Sequence, residues 1–158
     1  MAVKVLHVVK DHLLKEDPEF QARKQLIREV DNMKLLTASL HPNFPVLLGY
    51  DTKSFPYHLI TEYEKWGNLL QFVRMSRERE PHVKPIDLLK MLINISDALV
   101  HLEALGLVHR SVMAENVFVG ENYVCKLSGL HSLRQLTNGP NQQGKIKELN
   151  VFLVPDSR

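Results

Sequence analysis

Between residues 86 and 105 the chain carries Ile86, Leu88, Leu89, Leu92, Ile93, Ile95, Ala98, Leu99 and Leu102. That spacing follows the helical period and spreads apolar side chains around much of the helix girth, as in a helix buried within a fold. Other elements must therefore cover it. Gly106 closes the helix, since glycine takes the left-handed conformation at a helix end without a steric cost. Upstream, residues 76–85 are polar and end in Pro81 and Pro85, which marks a loop before the helix.

With 158 residues the chain has the length of one domain, enough to bury about two-thirds of its unfolded surface. Its hydrophobic fraction of 44% and charged fraction of 24% are ordinary for globular proteins. No apolar run reaches the roughly 20 residues that a membrane helix needs. The first ten residues are apolar but interrupted by Lys4 and Lys10, without a small-residue cleavage pattern, so no signal peptide is expected. The single cysteine, Cys125, excludes an internal disulfide and reads as a buried thiol in a reducing compartment. Net charge is +2, with acids among the bases, as in residues 77–80, which speaks against nucleic acid as a partner. Eight histidines are present, but none has the spacing of a zinc helix or a cysteine cluster.

Taken in order, residues 2–6 read as a strand. A helix is signalled from Asp17, with Pro18 in its first turn and Phe20, Ile27, Val30, Met33 and Leu36 as the apolar series. Glu29 lies beside that series and, taken alone, reads as a rim carboxylate. Pro42 and Pro45 break the helix. Residues 46–50 and 57–63 form an antiparallel hairpin, and Leu69, Leu70, Phe72 and Val73 a short amphipathic helix. After the long helix, residues 117–119 and 124–127 pair across a turn at 120–122. The chain from Ser132 onward is polar, and residues 138–144 are expected to be mobile.

This order of pieces, with its motifs, resembles a protein kinase domain of the tyrosine-kinase type, with closest likeness to receptor tyrosine kinases. The resemblance implies an α+β fold, an incomplete two-lobe kinase fold. Residues 1–158 would be a partial domain: 1–63 the small-lobe part and hinge start, 64–158 the first large-lobe part and activation segment. Ala2, Val3 and Lys4 resemble the Val-Ala-Ile-Lys motif, whose lysine holds ATP phosphates, with Glu29 as its ion-pair partner. Thr61 matches the gatekeeper, and Glu62, Tyr63 and Glu64 the hinge. Phe118 completes the implied cofactor-binding set. The runs at residues 41–43, 47–50 and 67–69 add to the likeness.

His109, Arg110, Ser111 and Asn116 resemble the catalytic loop His-Arg-Asp-x-x-x-x-Asn at the motif's spacing, with Ser111 in place of the aspartate. A serine hydroxyl is neutral at pH 7 and cannot accept a proton as that carboxylate does. Gly129, Leu130 and His131 fall on Asp-Phe-Gly, so Gly129 replaces the main magnesium ligand and Asn116 alone remains of the metal set. Residues 154–156 resemble Ala-Pro-Glu. The segment before them contains no tyrosine, leaving Ser132 and Thr137 as phosphate acceptors.

The glycine-rich loop and the later large-lobe helices of the family are not represented in the chain. The resemblance thus implies a pseudokinase or truncated kinase domain acting through a protein partner, a kinase or signalling protein, with room for weak ATP binding and no firm basis for Mg²⁺. The alternatives are a residual ATP-dependent kinase and a non-functional splice or gene-model fragment. The expected location is the cytoplasm, or the cytoplasmic part of a membrane receptor in a longer parent.

Overall fold

A computed structural model describes residues 2–6, 18–78 and 83–136, with the backbone alone at 2–6, 18 and 78. The expected mobile stretch at 138–144, Thr137 and the residues at 154–156 lie outside the described residues, as does the side chain of Lys4.

Strands β1 (Ala2–Leu6), β2 (Leu47–Asp51) and β3 (Tyr57–Thr61) form an antiparallel sheet in the order β1-β3-β2. The expected hairpin of β2 and β3 is present, irregular between Leu47 and Gly49. On the other side of β3, Lys4 stands opposite Leu59. Helix α1 (Pro18–Ala38) packs on this sheet.

Its buried stripe is Leu26, Val30, Met33 and Leu36, at i, i+4, i+7 and i+10, with Glu29 beside it. Phe20 and Ile27, expected on that face, are exposed. The reason is phase: Ile27 follows Leu26 by about 100° of helix turn and so falls to the solvent side. Burying each such leucine or valine stabilises the fold by roughly 1.5–3 kcal/mol.

Helix α2 (Leu69–Glu78) brings Phe72 into an aromatic cluster with Trp66 and Tyr123. Helix α3 (Pro85–Ala104) lies against β4 (Leu107–Val108) and β6 (Cys125–Leu127). It buries Met91, Ala98 and Leu102, at i, i+7 and i+11, which is one face only. Ile86, Leu88, Leu89, Leu92, Ile93 and Val100 are exposed, so among the described residues much of the apolar girth read from the sequence stays uncovered. The described elements pack against a single side of it.

Strand β5 (Val117–Val119) pairs with β6 as expected, and a 3-10 turn, Glu121–Tyr123, joins them. One pairing was not anticipated: β7 (Arg134–Gln135) returns antiparallel to β4. No helix among the described residues is long and apolar enough to cross a membrane.

Candidate functional site

The β5–β6 hairpin builds the centre of the site. Its register sets Val117 opposite Leu127, which brings Asn116 beside Ser128 and the turn at Gly129. The Ser128 amide donates to the Asn116 carbonyl at 2.7 Å, locking that approach. Two distant asparagines hold β6 in place. Asn43 donates its amide to the Cys125 carbonyl at 2.8 Å and accepts from the Leu127 amide at 2.8 Å, while Asn94 of α3 accepts from the Cys125 amide at 2.9 Å.

His109 joins the loop to the hairpin. Its Nδ1 accepts from the Ser111 amide at 3.2 Å, so the proton sits on Nε2, which donates to the Ser128 carbonyl at 2.8 Å. Burial holds its pKa below the ordinary histidine value; the Ser128 carbonyl opposes that shift and His131 adds to it. It is a neutral structural imidazole.

Asn116 closes the centre. Its Nδ2 donates to the Ser111 carbonyl at 2.9 Å and to Ser111 Oγ at 3.0 Å. Gly129 has φ of +77°, and a Cβ there would lie 2.7 Å from Asn116 Cγ and Nδ2 and 2.9 Å from Oδ1. The amide therefore stands against the place where any side chain at 129 would begin.

Magnesium, which the resemblance implies, takes six oxygens in near-octahedral order, usually with one or two carboxylates. At the three motif positions the side chains are neutral: Ser111 and Asn116 offer Oγ and Oδ1, and Gly129 offers nothing. Among the described residues there is no cluster of three histidine, cysteine or acidic side chains able to hold a metal. The residues present do not fit the ion.

Glu29 is 2% exposed, and its Oε2 lies 3.9 Å from His131 Nδ1. Asn32, one turn further along α1, donates to the Leu130 carbonyl at 2.6 Å, so α1 is fixed to the tripeptide at 129–131. Leu130 is buried beneath it. The backbone of Lys4 lies on the neighbouring sheet.

Thr61 ends β3, and its Oγ1 donates to the Glu62 carbonyl at 3.1 Å. Glu62 Oε1 accepts from the Val46 amide at 2.7 Å and pairs with Lys126 Nζ at 2.5 Å. Glu64 Oε1 is 3.2 Å from the same Nζ. Lys126 stands opposite Phe118 in the hairpin, which ties both glutamates to the strand that carries Phe118. Tyr63, between them, points to solvent. Sequence reading placed these residues together but did not foresee the lysine that joins them, because its partners lie about sixty residues away in the chain.

A cavity of about 440 Å³ opens between α1 and the loop, lined by Lys24, Arg28, Arg110, Ser111, His131 and Arg134 among others. The described residues give Lys24, Arg28, Arg110 and Arg134 no carboxylate partner. Arg110 is held at φ of +70°, a conformation costing about 1–2 kcal/mol for a residue with a Cβ. Lys24, Arg28 and Arg134 were missed in the sequence, where their separation hides the convergence. The spacing of Lys24 and Arg28 at i, i+4 was the available signal.

A sheet with one helix across it, joined by a short linker to a second layer whose hairpin carries a loop and a turn, defines part of a protein-kinase catalytic region. Residues 2–153 match the family model described as protein tyrosine and serine/threonine kinase, and the chain belongs to that family. Among its relatives, Tyrosine-protein kinase transforming protein Abl of Abelson murine leukemia virus is 36% identical over 124 residues, 78% of this chain and 16% of that protein. Tyrosine-protein kinase ABL2 of Homo sapiens is also 36% identical over 124 residues, covering 78% and 10%. Tyrosine-protein kinase Fer of Homo sapiens is 28% identical over 137 residues, covering 87% and 16%. The chain thus spans about a sixth or less of the length of these relatives. They are Abl and Fer kinases and lend no support to the receptor subtype expected from Thr61, Glu62 and Tyr63.

Proposed function

We propose that this chain is a tyrosine-kinase-like pseudokinase region that acts by binding a protein partner, with at most weak ATP binding through Lys4, Glu29, residues 61–64 and Phe118. The observation that carries this reading is the centre itself. Both positions that need a carboxylate hold neutral residues, Ser111 and Gly129, while His109, Asn116 and Ser128 remain hydrogen-bonded to one another and to Ser111. Removing a general base or an electrostatic stabiliser costs on the order of a hundred- to ten-thousand-fold in rate, and both are missing. Such losses are not additive, but together they approach the whole benefit of an ordinary kinase. The frame without the charges suits binding better than chemistry. The cations around the cavity beside Ser111 favour an acidic segment on the partner.

A phosphotransfer assay with Mg²⁺ and ATP on protein substrates tests the reading. It is expected to show no turnover above a protein-free control. Turnover that disappears in Lys4→Ala would establish a residual kinase instead.

A further inference from the structure

The mismatch between this centre and the family's metal goes further than two missing carboxylates. We infer that Asn116 has taken the space vacated at Gly129, so that the changes at 111 and 129 are coupled through its side chain and the centre is closed to divalent metal. Three observations meet here. The Asn116 amide is fixed by two hydrogen bonds to Ser111, at 2.9 and 3.0 Å. Its backbone is fixed independently, its amide donating to the Met113 carbonyl at 2.9 Å and its carbonyl accepting from Ser128 at 2.7 Å. Its side-chain atoms also stand within 2.7–2.9 Å of a Cβ built at 129, closer than real contacts allow.

Any side chain returned to position 129 must displace the amide and break its bonds to Ser111, the residue that stands where the general base is lost. A carboxylate restored at 129 alone therefore does not rebuild a metal site. The inference concerns the same centre as the pseudokinase reading but is tested without phosphotransfer. A failure here leaves that reading standing, and measured turnover would sink that reading without deciding this one.

The test is a double-mutant cycle on the full chain, read by thermal melting, together with Mn²⁺ binding read by electron paramagnetic resonance. Gly129→Ala is expected to lower the melting temperature by several degrees, and by less than half as much in an Asn116→Ala background, since only the backbone strain at 129 then remains. Mn²⁺ is expected to remain free in solutions of the wild type and of Gly129→Asp. If Asn116→Ala does not fold, Asn116→Ser serves in its place, because it shortens the side chain and still offers a hydrogen-bonding group. Equal losses from Gly129→Ala in both backgrounds would overturn the coupling. Mn²⁺ bound by the wild type and released on shortening Asn116, or Mn²⁺ bound by Gly129→Asp but not by the wild type, would overturn the closure.

Discussion

His109 keeps a polar ring in the interior by leaving it uncharged. Burial is the main cause of its depressed pKa, so below the ordinary value of 6.5 the unfolded chain takes up a proton that the folded chain refuses. The resulting stability is present above pH 6.5 and is lost as the pH falls toward the depressed folded value. His41, lowered by burial and then by His101, acts with the same sign. The urea midpoint is therefore expected to drop as the pH is lowered from about 7 to about 5. In His109→Gln the drop should be shallower; a midpoint that stays flat or rises on acidification contradicts a neutral buried ring. Cys125 matches its sequence reading more simply, since it is buried and its thiol is pushed up to about 12, mainly by burial. Ser111 and Gly129 stand out only through the resemblance to the kinase motifs, as single departures within otherwise matching runs. Asn43 and Asn94 could not be read as supports of β6, because each acts on a strand far along the chain and nothing local signals the bond.

At the scale of elements, periodicity revealed what has a period. The antiparallel hairpins β2–β3 and β5–β6 and the three α-helices of the described residues were legible, though α2 runs on to Glu78 into the stretch expected as a loop, whereas β4 and β7, two residues each, are too short to repeat anything. The phase of α1 was legible only in part, since Phe20 and Ile27 are as apolar as the residues that are buried. The face of α3 was not legible, because nearly every side of that helix is apolar and only packing chooses one. This yields a sharp contrast within a single helix. Leu102→Ala, which empties a buried site, is expected to cost about 2–5 kcal/mol. Leu92→Gln and Val100→Gln, at positions 60% and 63% exposed, should change stability by no more than about 0.5 kcal/mol. Urea unfolding of the three variants checks this. A loss at Leu92 or Val100 as large as that at Leu102 would show that the outer face is covered.

The described residues form a sheet with its helix and a second layer of helices and short strands, joined by residues 62–68. Several links cross that join, the Asn43 bonds to β6 among them, and two frame the centre. Lys126 of the hairpin holds Glu62 and Glu64, and Asn32 of α1 holds the Leu130 carbonyl. Between these links lies the hydrogen-bonded centre of Ser111, Asn116 and Ser128. Serine at 111 and glycine at 129 put no carboxylate at either position, and the pseudokinase reading proposed above rests on that. The measurement that bears on this most directly is the melting temperature of the chain with ATP alone and with ATP plus Mg²⁺, since a ligand bound only by the folded state raises apparent stability by mass action. The account predicts the same melting temperature in both, within about 1 °C. A rise of several degrees that requires Mg²⁺ and is lost in Lys4→Ala would contradict it.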